Sequence, residues 1–285
     1  MSIHPLAVVS PHVQLGTNVR IGPFCMVEPG VVLGDNCYLA GRVTIKSGTQ
    51  LGRNNQIFEG AVLGGMPQHA HMPQHPGSVI IGDGNVIREN VTVHRAMEAG
   101  HSTRIGSDCL MMVGSHVAHD CTVENNVILT NNAMLGGHVT VGERACLGGG
   151  VAVHQFCRIG RLAMVGGMAR ITRDIPPFVM IDGDTAMVVG LNKVGLRRGG
   201  LGIREMEQIK AAYRVIYRSG LAWSEMLDVL RLEYPVGAAS EFASFFAEGK
   251  RGFVQERRTP PGATIRIMRE DTAESTSVEF EKKVG

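Results

Sequence analysis

The sequence predicts a β fold, a parallel β-helix built from hexapeptide repeats, followed by a C-terminal α-helical domain. Three observations predict it. An aliphatic residue recurs every six positions from Val9 to Ile171. The composition is rich in glycine (37 of 285 residues) and poor in aromatics (5%), which suits a narrow core of β-branched residues joined by tight turns. After Pro176-Pro177 the six-residue period stops and apolar residues take up helical spacing.

The repeat runs through Val9, Leu15, Ile21, Val27, Leu33, Leu39, Ile45, Leu51, Ile57 and Leu63, resumes at Ile81, Ile87 and Val93, and continues from Ile105 to Ile171. The next residue is often glycine, as at Gly16, Gly34, Gly52, Gly106 and Gly142. Four positions after the aliphatic comes a second inward residue, such as Val19, Val43, Thr49, Ala61 or Val127. Five of the six cysteines (Cys25, Cys37, Cys109, Cys121 and Cys157) share that position, so they read as small core thiols and not as a disulfide framework. A period of six fits neither a helix nor a hairpin array. It fits a coil with three flat sides, in which residues eighteen apart stack ~4.8 Å from one another.

Two stretches break the frame, residues 65–80 (GMPQHAHMPQHPGSVI) and 96–104 (AMEAGHSTR), and both read as loops leaving the coil. Beyond the prolines, Ile203, Met206, Ile209, Tyr213, Ile216 and Tyr217 mark a helix that stops at Ser219-Gly220. A second helix begins near Ser224 and a third covers 239–248, together capping the open end of the solenoid. The expected organisation is a solenoid over 1–185 with its two loops, a helical region over 186–255, and a polar, loosely attached tail over 256–285.

A formal net charge of +2 gives no sign of nucleic acid or membrane-surface binding. No apolar run approaches the ~20 residues of a membrane span. The N-terminus (MSIHPLAVVS) lacks the apolar core of a signal peptide, and a cytoplasmic location is expected.

In the stacked coil His119 faces outward below Gly137 and Gln155, and the adjacent column holds Asp120, His138 and Phe156. A neutral imidazole accepts a proton from a hydroxyl near neutral pH. A glycine amide one coil up can stabilise an oxyanion, because no side chain blocks its N–H. The neighbouring Asp120 favours the imidazolium that forms. The pattern alone is equally compatible with solvated surface residues. A metal site of the three-histidine kind used by solenoid carbonic anhydrases would draw on His116, His119 and His138. That His-x-x-His spacing has no completing thiolate or carboxylate set, so no metal is expected. His69, His71 and His75 form a further histidine cluster in the first loop.

Several runs resemble the UDP-N-acetylglucosamine O-acyltransferase family, which starts lipid A synthesis. They are GSHVAHDCTV (114–123), NNAMLGGHVTVG (131–142), GGGVAVHQF (148–156), MVGG (164–167), DIPPF (174–178), GLNKVGLRRG (190–199) and IYRSG (216–220), and the match spans about 1–253. The resemblance implies a left-handed coil, a homotrimer with active sites in clefts between subunits, and transfer of an (R)-3-hydroxyacyl chain from acyl carrier protein to a sugar 3-hydroxyl. It implies His119 as general base with Asp120 beside it, and the Gly137 N–H as oxyanion hole. His116, His138, Gln155, Asn192 and Arg198 are implied as contacts to the nucleotide sugar or the acyl donor, and Gly167 as the limit on acyl-chain length. No metal or redox cofactor is implied; the donor carries its acyl group on the phosphopantetheine of acyl carrier protein. Because that protein is acidic, Arg158, Arg161, Arg170, Arg173, Arg197 and Arg198 are expected docking charges.

One departure stands out. Where the family reads P-Q-D-L-K-Y, this chain has Pro67-Gln68-His69-Ala70-His71-Met72, and Val194 stands where a glutamate is common. Gln68, His69 and His71 are therefore expected acceptor contacts. The acceptor is UDP-N-acetylglucosamine or, with the same chemistry, another UDP-sugar such as a 3-amino sugar.

Overall fold

The structure is a computed structural model that describes residues 1–257. Short strands, mostly two residues long, stack into three sheets of eleven, nine and eight strands that form a left-handed parallel β-helix. Successive coils pair in parallel at a spacing of eighteen residues, as in His116↔Met134 and Met134↔Ala152. Where a loop leaves the coil the spacing widens to Val62↔Thr92 and Thr92↔His116.

The repeat positions behave as their chemistry dictates. The aliphatics from Ile21 to Ile171 are buried and form one continuous core with the residues four positions on. The five cysteines at that inner position are buried and unpaired. The Cys121 thiol donates to the Gly136 carbonyl at 3.1 Å, and burial pushes it up to about 12. Asn55 and Asn85 occupy the same inner position, and such buried amides need partners. The Asn55 Oδ1 accepts from the Asn85 N–H at 2.9 Å, and the Asn85 Oδ1 accepts from the Cys109 N–H at 2.8 Å.

The corners carry a constraint that the hydrophobic period does not display. The third residue after each aliphatic has positive φ at nearly every corner, including Asn18, Asn36, Asn54, Asp120, Asn132, His138 and Phe156. Asparagine, aspartate and glycine tolerate that left-handed conformation with least strain, which explains their frequency there.

The first loop is narrower than the sequence suggests. Ser78–Ile81 is a strand, paired in register with the strand Ser102–Ile105, so the excursions reduce to 66–77 and 95–101. Val79, Ile81, Thr103 and Ile105 are buried in alternation with more exposed neighbours, so strand periodicity resumes before the glycine-marked frame does.

At the C-terminal end, the strand Val188–Leu191 turns antiparallel to Val179–Ile181 and leads into helix α1 (Lys193–Arg198). Helices α2 (Ile203–Arg218), α3 (Trp223–Glu233) and α4 (Glu241–Ala247) follow, α4 being preceded by a 3-10 turn at Ala238–Ser240. The sequence did not signal α1, which is only one and a half turns long. Leu162 and Phe178 from the coil pack with Leu196, Ile209, Leu230 and Phe242 in a second core.

Two arginines expected as docking charges staple this second core. The Arg158 Nε donates to Asp174 at 2.9 Å and its Nη2 to the Phe245 carbonyl at 2.7 Å. Arg161 forms a forked pair with Glu241, at 2.7 Å for the shorter contact. Both guanidinium groups are spent inside the chain and are not free for a partner.

The first residues of the polar tail are docked, contrary to expectation. Glu256 bridges Val188, and Arg257 pairs with Asp182 at 2.6 Å. The remainder of that segment, 258–285, lies outside the described residues. No helix among the described residues is long and apolar enough to cross a membrane.

Candidate active site

His119 follows the strand His116–Val117 and points away from the core, yet it is only 7% exposed. The expectation of a solvent-facing imidazole is corrected by its surroundings. Its ring lies edge-on to His138 at 5.2 Å and to His69 of the first loop at 6.0 Å. One coil on stands Gly137, where a Cβ would come within 2.5 Å of the His119 Cε1 and 2.7 Å of its Nε2. The absence of a side chain at Gly137 thus makes room for the His119 imidazole. The Gly137 carbonyl accepts from the Phe156 N–H at 3.0 Å, while its own N–H has no hydrogen-bond acceptor among the described residues.

Asp120 occupies a corner at φ 59°. Its backbone N–H donates to the Thr103 Oγ1 at 2.8 Å. Its Oδ2 accepts from the Met97 N–H of the second loop at 3.0 Å and pairs with the His119 Nδ1 at 2.8 Å. An ionised carboxylate only accepts, so the His119 proton sits on Nδ1 and the Nε2 lone pair is free beside Gly137. His138 lies with its Nε2 3.8 Å from the same Oδ2, and its ring stacks on Phe156 at 4.6 Å. Burial of its ring lowers the His138 pKa, partly opposed by Asp120.

His116 is half-buried and fixed by a 2.7 Å hydrogen bond between its Nδ1 and the Thr92 Oγ1. Against it, at 4.9 Å and edge-on, stands His94, which sequence reasoning did not single out. His94 is buried, its Nδ1 has no partner among the described residues, and burial lowers its pKa to about 4. Its signal was a departure from pattern, since it follows Val93 at the position where the repeat often places glycine.

The other expected residues divide. Gln68 and His71 are exposed on the first loop, where the His69 Nδ1 lies 3.1 Å from the His71 N–H. The loop is held at its far end by Arg95, whose Nε and Nη2 donate to the Gly77 and Pro76 carbonyls at 2.7 and 2.9 Å. Gln155 is exposed one coil beyond Gly137. Gly167 is exposed above Gly149, and a Cβ there would sit 3.2 Å from the Gly149 carbonyl oxygen. Asn192 is not brought to this cluster within one chain. Its amide caps α1, accepting from the Gly195 N–H at 2.9 Å and donating to the Leu162 carbonyl at 2.9 Å. Arg198 is exposed at the end of α1, likewise outside the cluster.

His119, Asp120 and His138 each offer a donor atom within 4.8 Å of the others. This differs from the three-histidine set considered from sequence, since Asp120 stands in the group and His116 does not. The same three groups suit proton transfer: an imidazole with an open Nε2, a carboxylate that orients it, and a second imidazole beside them.

Comparison with known proteins adds a separate line. Residues 174–254 match the family model described as UDP N-acetylglucosamine O-acyltransferase, domain 2. Residues 12–47 match bacterial transferase hexapeptide repeats, and 100–131 the hexapeptide repeat of succinyl-transferase. A protein of Halorhodospira halophila is 50% identical over 80% of this chain and 89% of its own length, and one of Synechocystis 42% identical over 73% and 75%. Both are named acyl-[acyl-carrier-protein]–UDP-N-acetylglucosamine O-acyltransferase. The solved UDP-N-acetylglucosamine O-acyltransferase of Moraxella catarrhalis is 36% identical and superposes at a TM-score of 0.85 over 90% of this chain and 100% of its own.

Proposed function

The chain belongs to the UDP-N-acetylglucosamine O-acyltransferase family, and from that premise we propose that it transfers an (R)-3-hydroxyacyl group from acyl carrier protein to the 3-hydroxyl of UDP-N-acetylglucosamine, the first step of lipid A biosynthesis. One observation carries the mechanism. The His119 Nδ1–Asp120 bond leaves a lone pair on Nε2, and that nitrogen faces Gly137.

His119 Nε2 takes the proton of the sugar hydroxyl as its oxygen attacks the thioester carbonyl. The carbonyl oxygen gains negative charge and is held by the Gly137 N–H. Asp120 stabilises the imidazolium during this step. Collapse of the tetrahedral intermediate breaks the carbon–sulfur bond, and the imidazolium returns its proton to the departing thiolate of phosphopantetheine. The protein holds the reactants and moves one proton.

A homotrimer fits the outer face of the nine-stranded sheet. In register that face runs Val8, Met26, Thr44, Val62, Thr92, His116, Met134 and Ala152, without a charge before Arg170. Val8, Met26 and Met134 are exposed along it, and a contiguous uncharged stripe of this kind marks a protein contact. A cleft between subunits would bring Asn192 and Arg198 of a neighbour to this site. A cytoplasmic location is part of this proposal, and the acyl carrier protein donor named for the relatives supports it.

The histidines of the first loop favour a second acceptor. His69 lies beside the base, so a UDP-sugar bearing a 3-amino group is the alternative nucleophile. Purified enzyme is given one 3-hydroxyacyl carrier protein and a panel of UDP-sugars, with products read by mass spectrometry. Transfer to UDP-N-acetylglucosamine that disappears in His119→Ala supports the reading, and undiminished transfer in that variant rejects it.

A further inference from the structure

The His116-x-x-His119 spacing lacks a carboxylate to complete a metal site, and the fold supplies one beside a different pair of histidines. His119, Asp120 and His138 place one ligand atom each within 4.8 Å of one another. The Asp120 Oδ2 stands 2.8 Å from the His119 Nδ1 and 3.8 Å from the His138 Nε2. Ligands held ~2.0–2.1 Å from a tetrahedral zinc ion lie ~3.3 Å apart, so both separations reach that value by shifts of about half an ångström. His138, the most exposed of the three side chains, supplies the remaining movement.

The carboxylate also lacks a fixed cation. The Asp120 side chain is nearly buried, and among the described residues its ion-pair partners are these two imidazoles, with no lysine or arginine. A buried carboxylate is costly unless its charge is met. The Met97 N–H fixes its Oδ2, as outer hydrogen bonds aim the carboxylates that bind metals. Two imidazoles and one carboxylate are a donor set for zinc that leaves a fourth position for water.

We propose that these three groups bind a divalent cation of the zinc type and that the ion switches the enzyme off. The inhibitory role rests on the acyl-transfer reading, in which the His119 Nε2 accepts the sugar proton. A neutral imidazole carries one proton, and in the metal-free site it sits on Nδ1, facing Asp120. An ion on Nδ1 displaces that proton, which passes through solvent to Nε2, so none is gained or lost overall. The ring then donates from the nitrogen on which catalysis needs a lone pair. Zinc is thus a reversible inhibitor that acts by fixing the wrong tautomer of the base.

Untagged full-length protein is titrated with Co²⁺, whose visible absorption reports a four-coordinate site. One ion per chain is expected, and Zn²⁺ should displace it. His138→Gln and Asp120→Asn should each weaken cobalt binding at least about tenfold, and His71→Gln/His75→Gln should leave it unchanged. In the transfer assay Zn²⁺ should inhibit the wild type, with full recovery on chelation. His138→Gln, read against its own metal-free rate, should need a proportionally higher Zn²⁺ concentration. Nitrogen NMR of the His119 ring should show the proton on Nε2 with Zn²⁺ and on Nδ1 without it. Absence of cobalt binding in the wild type overturns the site. So does binding that survives in His138→Gln and is lost in His71→Gln/His75→Gln, which would put the ion on the first loop. Binding at the three groups with undiminished or raised transfer overturns the inhibitory role. Absence of transfer from metal-free and zinc-loaded enzyme alike rejects the acyl-transfer reading, while the cobalt titration still decides the site.

Discussion

A Cβ added to Gly137 would lie 2.7 Å from the Nε2 of His119, inside van der Waals contact with the atom proposed to accept the proton. The pair couples two roles usually discussed apart. Gly137 offers an unblocked N–H, and its missing side chain is also the space in which the imidazole sits. Gly137→Ala is therefore expected to lower kcat by ~10²–10³-fold, a loss of the size seen when an oxyanion-hole donor is misplaced. The φ of Gly137 is not in the left-handed region, so the backbone tolerates alanine. An unchanged circular dichroism spectrum and melting temperature beside the lost rate would check this, and wild-type kcat would contradict it.

Asp120 is held from two sides, by Thr103 under its N–H and by Met97 above its Oδ2. Asp120→Asn keeps the shape and the backbone bond but removes the charge that balances the imidazolium. Its amide can also donate to the His119 Nδ1, which moves the ring proton to Nε2 and blocks the base. A fall in kcat of ~10²–10⁴-fold is expected, by analogy with a base left in the wrong tautomer. Proton or nitrogen NMR of the His119 ring at neutral pH reports the tautomer directly.

The coil was legible in the sequence because one side chain per hexad must enter a narrow core, and the residues from Ile21 to Ile171 in that frame are buried. The stacking of Gly137 over His119 was legible because a fixed eighteen-residue period converts sequence positions into columns, while the roles proposed for them and for Asp120 rest on the resemblance of the motifs around them. What escaped was whatever the period does not govern. The burial of His119 depends on the first loop and on His138, and the fixing of Asp120 depends on Met97 in the second loop. The role of Arg158 was misread because its partners Asp174 and Phe245 are sixteen and eighty-seven residues away, outside any local pattern. His94 was passed over because a single histidine in a glycine position carries no motif.

Arg95 joins the two loops, since it leaves the strand Thr92–His94 and donates to the Gly77 and Pro76 carbonyls at the end of the first loop. Arg95→Ala leaves those carbonyls without this donor, at a cost of ~1–3 kcal/mol to the local closed conformation. The expected result is faster limited proteolysis within 66–77 and a raised KM for the UDP-sugar, with the melting temperature of the coil little changed. Proteolysis at the wild-type rate would show that the loop is held by other contacts.

His94 gives the fold a pH dependence of definite sign. Its pKa falls from an ordinary 6.5 to about 4, chiefly because burial opposes the charged ring, with His116 and His119 adding to the effect. Between those values the unfolded chain binds the proton and the native chain does not, so unfolding gains protons and stability declines as the pH drops from 6.5 toward 4. A shift of this size corresponds to on the order of 3 kcal/mol across that interval. His116 is lowered for the same reason and acts in the same direction. Replacing His94 by phenylalanine removes the titrating group while filling most of the same space. The variant should lose stability less steeply than the wild type when urea midpoints are measured from pH 7 down to pH 4.5. Parallel curves for the two proteins would mean that the native His94 ring takes up its proton as readily as the unfolded chain does, its Nδ1 meeting an acceptor supplied by another subunit.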